Sequence, residues 1–323
     1  MAGLTQKERN PFPYSDSNKR YHSYDFYLKR TFGGKVAKIP LDAGFTCPNI
    51  DGRCGVGGCI YCSGRGSGDF AESPMLSLTE QYRITRERLS HKWSTERCIP
   101  YFQAHTNTYA TLAVLREKYE EALLLPGVVG MNIGTRADAI EKDTATYLAE
   151  LSERTVLTVE LGLQSSNDDT ARRINRGHTF EQFLEGYHRI RDAGGKIRIG
   201  IHVILGLPEE DDEMMLKTVQ DVAALRPDEV KVHLLHVIDG TRLAQDYKNG
   251  AYQPLERERY IALAAQSLCL LPPETVIGRL TGDGMLETLL APTWSVRKTT
   301  VLNDIDKYLY ENDLWQGKYY LPS

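Results

Sequence analysis

The chain has no apolar run approaching the roughly 20 residues that a membrane-spanning helix needs. Its N-terminus also lacks the apolar segment that a secretory signal peptide carries. These two absences predict a soluble, cytoplasmic protein with no membrane partner. Hydrophobic residues still make up 41% of the 323 positions, which is enough for a sizeable core, and the length suits one large α/β barrel or two ordinary domains.

Cysteine is scarce and unevenly placed. The chain has six cysteines, and four of them, Cys47, Cys54, Cys59 and Cys62, fall within sixteen residues, while the other two stand alone. Proteins built on disulfides spread their cysteines through a short chain. The distribution therefore argues against a disulfide framework and indicates a cluster of metal ligands.

Neither sign of charge is in large excess, with a net charge of −4, but the charges are unevenly placed. Residues 1–40 carry +5, which leaves −9 for the remainder. Aromatic side chains are interleaved with these basic residues, and such surfaces can stack nucleobases while following phosphates. The alternative is an arm whose aromatic side chains pack against the fold while its charges face water.

Short β-rich runs alternate with longer amphipathic runs along the rest of the chain. Because repeated strand, crossover and strand units favour a right-handed parallel sheet, the pattern predicts an α/β fold. Six units suit a partial (β/α)6 barrel of the TIM type, with an N-terminal arm at 1–34, a barrel core at 35–237 and a C-terminal helical extension at 238–323. The predicted strands cover 35–41, 99–103, 130–135, 156–163, 197–205 and 230–237, and the predicted helices cover 78–92, 112–124, 143–151, 180–193, 211–225, 256–271 and 301–312.

The glycine-rich segment from Cys47 to Cys62 has the spacing C-x11-C-x2-C. Three thiolates from one loop can hold three corners of a cubane iron–sulfur cluster and leave the fourth iron open to a ligand that is not protein. Glycines in the loop let its backbone wrap a bulky ion. Cys54 lies inside the long gap, where it could replace Cys47, be an ordinary thiol, or complete a zinc site with the other three.

This spacing resembles that of the radical S-adenosylmethionine (SAM) superfamily, in its Elp3-like branch with the YhcC/YtqA-type proteins. A second motif, 160–165 followed by 173–178, is similar to the GxQS and NRGH pattern of Elp3-like and coproporphyrinogen-dehydrogenase-like members. The resemblance implies an enzyme with the partial barrel of radical SAM proteins. It also implies a [4Fe–4S] cluster on Cys47, Cys59 and Cys62, the predicted catalytic and metal-binding residues, where reduced cluster cleaves SAM to a 5′-deoxyadenosyl radical.

The resemblance also implies where SAM binds. The predicted contacts lie near the carboxyl ends of predicted strands, where barrel enzymes bind their ligands. The segment after the second strand takes the place of a small-residue motif that binds the SAM amino group, and Arg176 matches a residue that contacts the SAM carboxylate. The predicted cofactor-binding residues are Gln103, Ala104, His105, Thr106, Gln164, Arg176 and His202.

Three further segments have more than one interpretation. Arg136 and Asp138 resemble a cavity-facing pair of the branch, although such a pair also stabilises turns. The acidic run 209–213 indicates a helix N-terminus, where acids are favoured. Four residues near the C-terminus are either substrate contacts or parts of a turn and a helix start: Arg279, Asp283, Arg297 and Lys298.

For the substrate, the resemblance points to tRNA, because Elp3 relatives act on wobble uridines. We expect a step in maturing the side chain at uridine C5, such as conversion of a carboxymethylaminomethyl group toward aminomethyl. An external flavodoxin or ferredoxin would supply the electron, and no DNA partner is expected. The alternatives are a radical SAM enzyme for a small metabolite such as a tetrapyrrole, and a non-enzymatic iron–sulfur sensor or zinc-binding module.

Overall fold

A computed structural model describes residues 10–282 and 284–322. Its contacts divide the chain into two compact units. We call residues 31–163 with 175–200 the cysteine unit, and the described residues of 10–30, 164–174 and 201–322 the terminal unit. The division into arm, barrel core and extension stays a prediction.

Strands and helices alternate along the chain, as predicted. None of the helices formed by the described residues is long and apolar enough to cross a bilayer. The strands are β1 (Ala37–Leu41), β2 (Cys98–Phe102), β3 (Gly130–Thr135), β4 (Val156–Gln164), β5 (Arg198–Leu205), β6 (Glu229–Leu234), β7 (Val237–Ile238), β8 (Val276–Arg279) and β9 (Leu289–Ala291). The helices are α1 (Tyr24–Phe32), α2 (Leu78–Ser90), α3 (Leu112–Leu123), α4 (Lys142–Ser152), α5 (Asp168–Arg173), α6 (Phe180–Asp192), α7 (Asp212–Ala224), α8 (Arg242–Lys248), α9 (Arg257–Leu270) and α10 (Lys298–Glu311), with 3-10 turns at Ala137–Ala139 and Thr293–Val296.

The strands form a seven-stranded sheet in the order β1-β2-β3-β4-β5-β6-β8, and β7 pairs with β9 in a second, antiparallel sheet. The pairs β1–β2, β2–β3, β3–β4 and β6–β8 are parallel. All six predicted strands are present, and the prediction missed a seventh strand of this sheet, because β8 is short and its Gly278 and Arg279 make it resemble a polar turn. The last predicted strand was also too long, since β6 ends at Leu234.

One face of the sheet in the cysteine unit is apolar and covered. The registers align Leu41 with Phe102 and Phe102 with Ile133, and all three are fully buried. Tyr119 of α3 packs edge-on against Phe102, with ring centroids 5.0 Å apart. Parallel sheets are usually covered in this way by their crossover helices. The hydrophobic core of this unit therefore lies between the strands and the helices that follow them.

The opposite face of these strands is polar. Parallel register places Tyr101 beside Asn132, and Gly134 beside Glu160. The buried carboxylate of Glu160 accepts hydrogen bonds from Asn132 Nδ2 at 2.6 Å and from Lys38 Nζ at 3.2 Å. The same Lys38 ammonium lies 4.8 Å from the ring centroid of Tyr101. Buried polar groups need such partners, so this face is organised for polar contacts.

The acidic run 209–213 serves two purposes. Asp211 caps α7, because its carboxylate accepts a hydrogen bond from Met214 N at 2.8 Å. The helix-start interpretation is therefore confirmed for Asp211 and for the residues after it. Glu210 differs: it is buried, it accepts a hydrogen bond from Ser165 Oγ at 2.5 Å, and burial raises its pKa.

The described part of the N-terminal arm packs within the terminal unit. Lys19 pairs with Asp306, and Arg20 pairs with Asp313 at 3.2 Å. Ile277 N of β8 donates to His22 O at 2.7 Å. Phe12 and Tyr21 of the arm are also buried. These contacts favour packing over nucleobase stacking for residues 10–22, while Lys7 and Arg9 lie outside the described residues.

Two local interactions stabilise the N-terminus of α6. Thr179 and Gln182 form a reciprocal capping box. His178, just before the cap, stacks on Phe183 with ring centroids 6.4 Å apart, as in a hydrophobic staple. Burial lowers the pKa of His178 to about 3, with the charges of Arg176 and Arg136 acting in the same direction. The folded protein therefore holds this imidazole neutral.

We expect acid to destabilise the fold through His178. Its pKa is near 6.5 in the unfolded chain, so protons bind the unfolded state first as the pH falls from about 6.5 toward 3. The wild-type protein should lose up to about 1.4 kcal/mol per pH unit more than His178→Leu over this range. Denaturant unfolding at several pH values measures the difference. His188→Gln, an exposed position on the same helix, should follow the wild type; equal slopes for His178→Leu and wild type would contradict the assignment.

Gly186 should not tolerate a side chain. A Cβ atom there would lie 2.1 Å from Ala137 O, a backbone atom of the first 3-10 turn that cannot move away cheaply. Gly186→Ala should therefore lower the stability by about 1–3 kcal/mol, in spite of the better helix propensity of alanine. Thermal unfolding measures the loss. Gly64→Ala, where a Cβ meets nothing within 4 Å, is the control; an unchanged midpoint for Gly186→Ala would show that α6 can shift.

Candidate active site

The segment from Cys47 to Cys62, which we call the cysteine loop, is folded on itself without a regular helix or strand. Ile50 N donates to Cys47 O at 2.8 Å, and Cys62 N donates to Cys59 O at 3.1 Å. Gly57 and Gly58 have φ of 78° and 73°, in the region that glycine adopts without strain. The glycines thus give the loop the tight backbone that the sequence predicts.

The four thiols of the loop are not equivalent. Cys59 is buried, Cys47 and Cys62 are half-buried, and Cys54 is exposed. A hydrogen bond from Cys62 and the nearby Arg176 charge lower the pKa of Cys59, although burial opposes them. The same hydrogen bond is the main cause that raises the pKa of Cys62, and burial and nearby Cys59 and Cys47 add to it. Within the hydrogen-bonded pair, Cys59 is thus the thiol that ionises before Cys62.

Among the described residues, no three His, Cys, Asp or Glu side chains stand close enough together to form a metal site. The thiols of the loop therefore do not form a closed cage by themselves. The donor set nevertheless suits an iron–sulfur cluster, because three thiols from one loop can each hold one iron. A buried guanidinium beside Cys59 also suits a group that carries negative charge. The residues fit the cluster that the sequence predicts.

That guanidinium belongs to Arg176. Its Nη1 lies 3.8 Å from Cys59 Sγ, and its Nη2 donates to the carbonyl oxygen of Gly162 in β4. Burial acts to lower the pKa of Arg176, but the charges of Cys59, Tyr61 and Asp138 and the hydrogen bond to Cys59 together raise the pKa above the ordinary value. Its buried Nε has no hydrogen-bond partner. The cation is thus fixed beside a predicted cluster ligand and keeps one donor for a further acceptor.

Arg136 and Asp138 stabilise a turn, which is one of the two interpretations that the sequence left open; the cavity-facing role stays a prediction. Arg136 forms a bidentate pair with Asp138, at 3.0 and 2.8 Å, which stabilises the turn after β3. Its Nη1 also donates to Arg176 O at 2.7 Å, and its Nη2 lies 3.5 Å from Cys54 Sγ. Burial would raise the pKa of Asp138, but Arg136 outweighs it and holds the pKa below the ordinary value. Arg136 therefore links the turn after β3 to the backbone at Arg176 and to the cysteine loop.

The segment 103–106 contacts the chain just before and just after the cysteine loop. Thr106 N donates to Thr46 O, next to Cys47, at 3.2 Å. His105 N donates to Gly66 O at 2.8 Å, with His105 in the left-handed region at φ 58°. Burial lowers the pKa of His105, and its buried Nδ1 has no hydrogen-bond partner. Ala104 is buried, and Gln103 is half-buried.

The other predicted contacts belong to the terminal unit. Gln164 ends β4 with φ 77°, and the ring of His202 in β5 lies tilted against that of His233, with ring centroids 5.0 Å apart. Arg279 lies in β8, while Arg297 and Lys298 lie at the start of α10. Asp283 lies outside the described residues. Sequence reasoning missed one residue of the cysteine unit that contacts the predicted ligands: Asn49, whose amide lies against Cys59.

A family model for the radical SAM superfamily matches residues 50–222, and a model for the Radical_SAM C-terminal domain matches residues 227–311. The chain is 45% identical to Bacillus subtilis YtqA over 313 residues, 97% of each protein. It is 34% identical to Escherichia coli YhcC over 290 residues, 88% of this chain and 91% of that protein. It is also 34% identical to Elongator complex protein 3 of Bos taurus over 212 residues, 64% of this chain and 36% of that protein.

The fold matches a solved structure as well. It aligns with the archaeal Elp3 of Methanocaldococcus infernus over 87% of this chain and 64% of the Elp3 chain, with a TM-score of 0.65 and 20% identity. The similarity confirms an α/β fold of the partial TIM-barrel type seen in radical SAM proteins. Members of the superfamily are enzymes that use a [4Fe–4S] cluster and SAM. The chain belongs to the radical SAM superfamily.

Proposed function

We propose that this enzyme binds its cluster through Cys47, Cys59 and Cys62 and modifies the C5 side chain of a wobble uridine in tRNA. The observation that supports tRNA as the substrate is the similarity to Elongator complex protein 3. Elp3 relatives act on wobble uridines of tRNA. The change that we favour is a conversion of a carboxymethylaminomethyl group toward aminomethyl.

The chain supplies ligands, charge and position to its cofactors. When bound, the cluster and SAM would supply a radical able to remove hydrogen from an unactivated carbon. Buried Arg176 keeps positive charge beside Cys59 and would meet the SAM carboxylate. Segment 103–106, hydrogen-bonded to Thr46 and Gly66 on either side of the cysteine loop, would bind the amino group. Gln164 and His202 stay predicted contacts.

The cysteine loop and the chain after it expose large apolar side chains. The exposed fractions are 42% for Ile50, 72% for Val56, 40% for Phe70 and 91% for Met75. Several exposed apolar residues around a candidate site favour contact with a macromolecule. Such side chains suit contact with a protein as well as with RNA, so the choice of an RNA substrate rests on the similarity to Elongator complex protein 3. The arm adds little support, because Lys19 and Arg20 are already paired with acids.

Radical SAM enzymes need a reductant. We propose that an external flavodoxin or ferredoxin delivers the electron to the cluster. The exposed side of the cysteine loop, which includes Cys54 and Val56, offers a place for such a protein to approach.

We expect alanine at Cys47, Cys59 or Cys62 to abolish cluster binding. Cys54→Ala should keep it, because Cys54 is exposed and lies beside Arg136, whereas a hydrogen bond joins Cys59 to Cys62. Iron and sulfide content and the electron paramagnetic resonance (EPR) spectrum, after anaerobic reconstitution, measure this. Cys269→Ala, at a buried thiol of α9, is the control and should keep full iron. Loss of the cluster in Cys54→Ala, with retention in Cys47→Ala, would show that Cys54 is a cluster ligand in place of Cys47.

We expect intact tRNA to stimulate radical chemistry. The reconstituted enzyme, reduced with dithionite and given SAM, should form more 5′-deoxyadenosine with tRNA that carries 5-carboxymethylaminomethyluridine than without it. Nucleoside analysis should show the aminomethyl product. The same tRNA digested to nucleosides is the matched control, and it should not stimulate.

Stimulation by nucleosides or by tetrapyrroles in place of tRNA would favour a small-molecule substrate. A reduced cluster that fails to bind SAM would overturn the radical assignment in favour of a sensor or a structural metal site.

A further inference from the structure

Asn49, between Cys47 and Cys54 in the cysteine loop, is fully buried. Its Nδ2 donates to Asn175 O at 2.5 Å and lies 3.7 Å from Cys59 Sγ. Both neighbours accept hydrogen bonds, so only the amide nitrogen can face them. The side chain therefore joins a predicted cluster ligand to the turn at 175–178.

The turn at 175–178 also donates hydrogen bonds to the cysteine loop. Asn175 Nδ2 donates to Gly58 O at 2.7 Å and to Val56 O at 3.1 Å, just before Cys59. Asn175 itself has φ 53°, a left-handed conformation that asparagine tolerates better than most residues. Two asparagines thus clasp the loop to the turn in both directions.

Two glycines leave room for this clasp. A Cβ atom at Gly55 would lie 2.0 Å from Asn49 Oδ1, and one at Gly177 would lie 2.6 Å from it. Asn49 Oδ1 is buried without a conventional hydrogen-bond partner. Each glycine presents a Cα hydrogen where the Cβ would stand, and such hydrogens form weak contacts with oxygen. The amide is therefore held on both sides, with nitrogen toward Cys59 and oxygen toward the glycines.

We propose that Asn49 is a positioning residue that holds Cys59 for the cluster and donates an N–H to its sulfur, which raises the reduction potential of the bound cluster. Hydrogen bonds to ligand sulfurs stabilise the more negative, reduced state. Asn49 acts with Arg176, whose Nη1 lies at a similar distance from the same sulfur. The inference rests on the assignment of Cys59 as a ligand and is independent of the tRNA substrate.

The alternative is that Asn49 only stabilises the fold. Asn107 offers a matched control, because it is also fully buried in the cysteine unit and its Oδ1 is also without a partner. Its Nδ2 donates to the backbone oxygens of Phe102 and Gly134, at 3.1 and 2.7 Å, and not to sulfur. Substitution at either asparagine removes two hydrogen bonds, but only one of the two changes donation to a cysteine.

The test compares Asn49→Asp with Asn107→Asp in the reconstituted full-length enzyme. Aspartate keeps the shape of asparagine but cannot donate when ionised. The measurements are thermal unfolding of the apo protein, iron content, and the cluster midpoint potential from an EPR-monitored redox titration. Both variants should unfold at lower temperature, and only Asn49→Asp should have a more negative potential. Gly55→Ala, which displaces the amide without changing it, should shift the potential in the same direction, whereas Gly64→Ala should not.

An unchanged potential in Asn49→Asp and Gly55→Ala, or an equal shift in Asn107→Asp, would overturn the proposal. Loss of iron in Asn49→Asp alone, with an apo protein as stable as Asn107→Asp, would support it, because it shows that Cys59 is no longer held for the cluster. Cys59→Ala tests the ligand assignment separately from the tRNA substrate. A full cluster in that variant would show that Cys59 is not a ligand, whether or not tRNA stimulates the enzyme.

Discussion

The chain must hold several thiols on a loop that has no regular secondary structure. Backbone polar groups in such a loop need partners outside a helix or sheet. Here they are satisfied within the loop and by the turn at 175–178, where Asn175 accepts from the loop and also donates to it. The same turn carries Arg176, whose buried cation lies beside Cys59. The position of the predicted ligands therefore depends on a contact between two irregular segments.

The two faces of the sheet in the cysteine unit differ in polarity. The apolar face, with Phe102 and Ile133, packs under helices and gives the cysteine unit its core. The other face carries Glu160 with its partners Lys38 and Asn132, an arrangement that a hydrophobic core would not need. Buried ion pairs add little net stability, since desolvation offsets their attraction. Glu160, Lys38 and Asn132 therefore satisfy one another on this face without adding much to the stability of the fold.

The sequence predicted most of the fold because its signals are local. Hydrophobic periodicity located β3 without error and α6 to within one residue at its C-terminal end. It failed at β8, which is only four residues long and contains a glycine, and at the short helix α5. Both elements are too short to complete a recognisable period. Tertiary contacts, not local pattern, make them regular.

The candidate site divides in the same way. Motifs and spacing predicted the cysteines and Arg176, while only its position after the second strand predicted the segment 103–106. Nothing in the sequence linked Asn49 to Asn175, which are 126 positions apart, or Lys38 to Glu160, which are 122 apart. By itself the sequence determined the fold class, the family and its cofactors, since these follow from local patterns and motifs. Only the tertiary structure decided which side chains meet around Cys59, because contacts between distant residues leave no periodic trace along the chain.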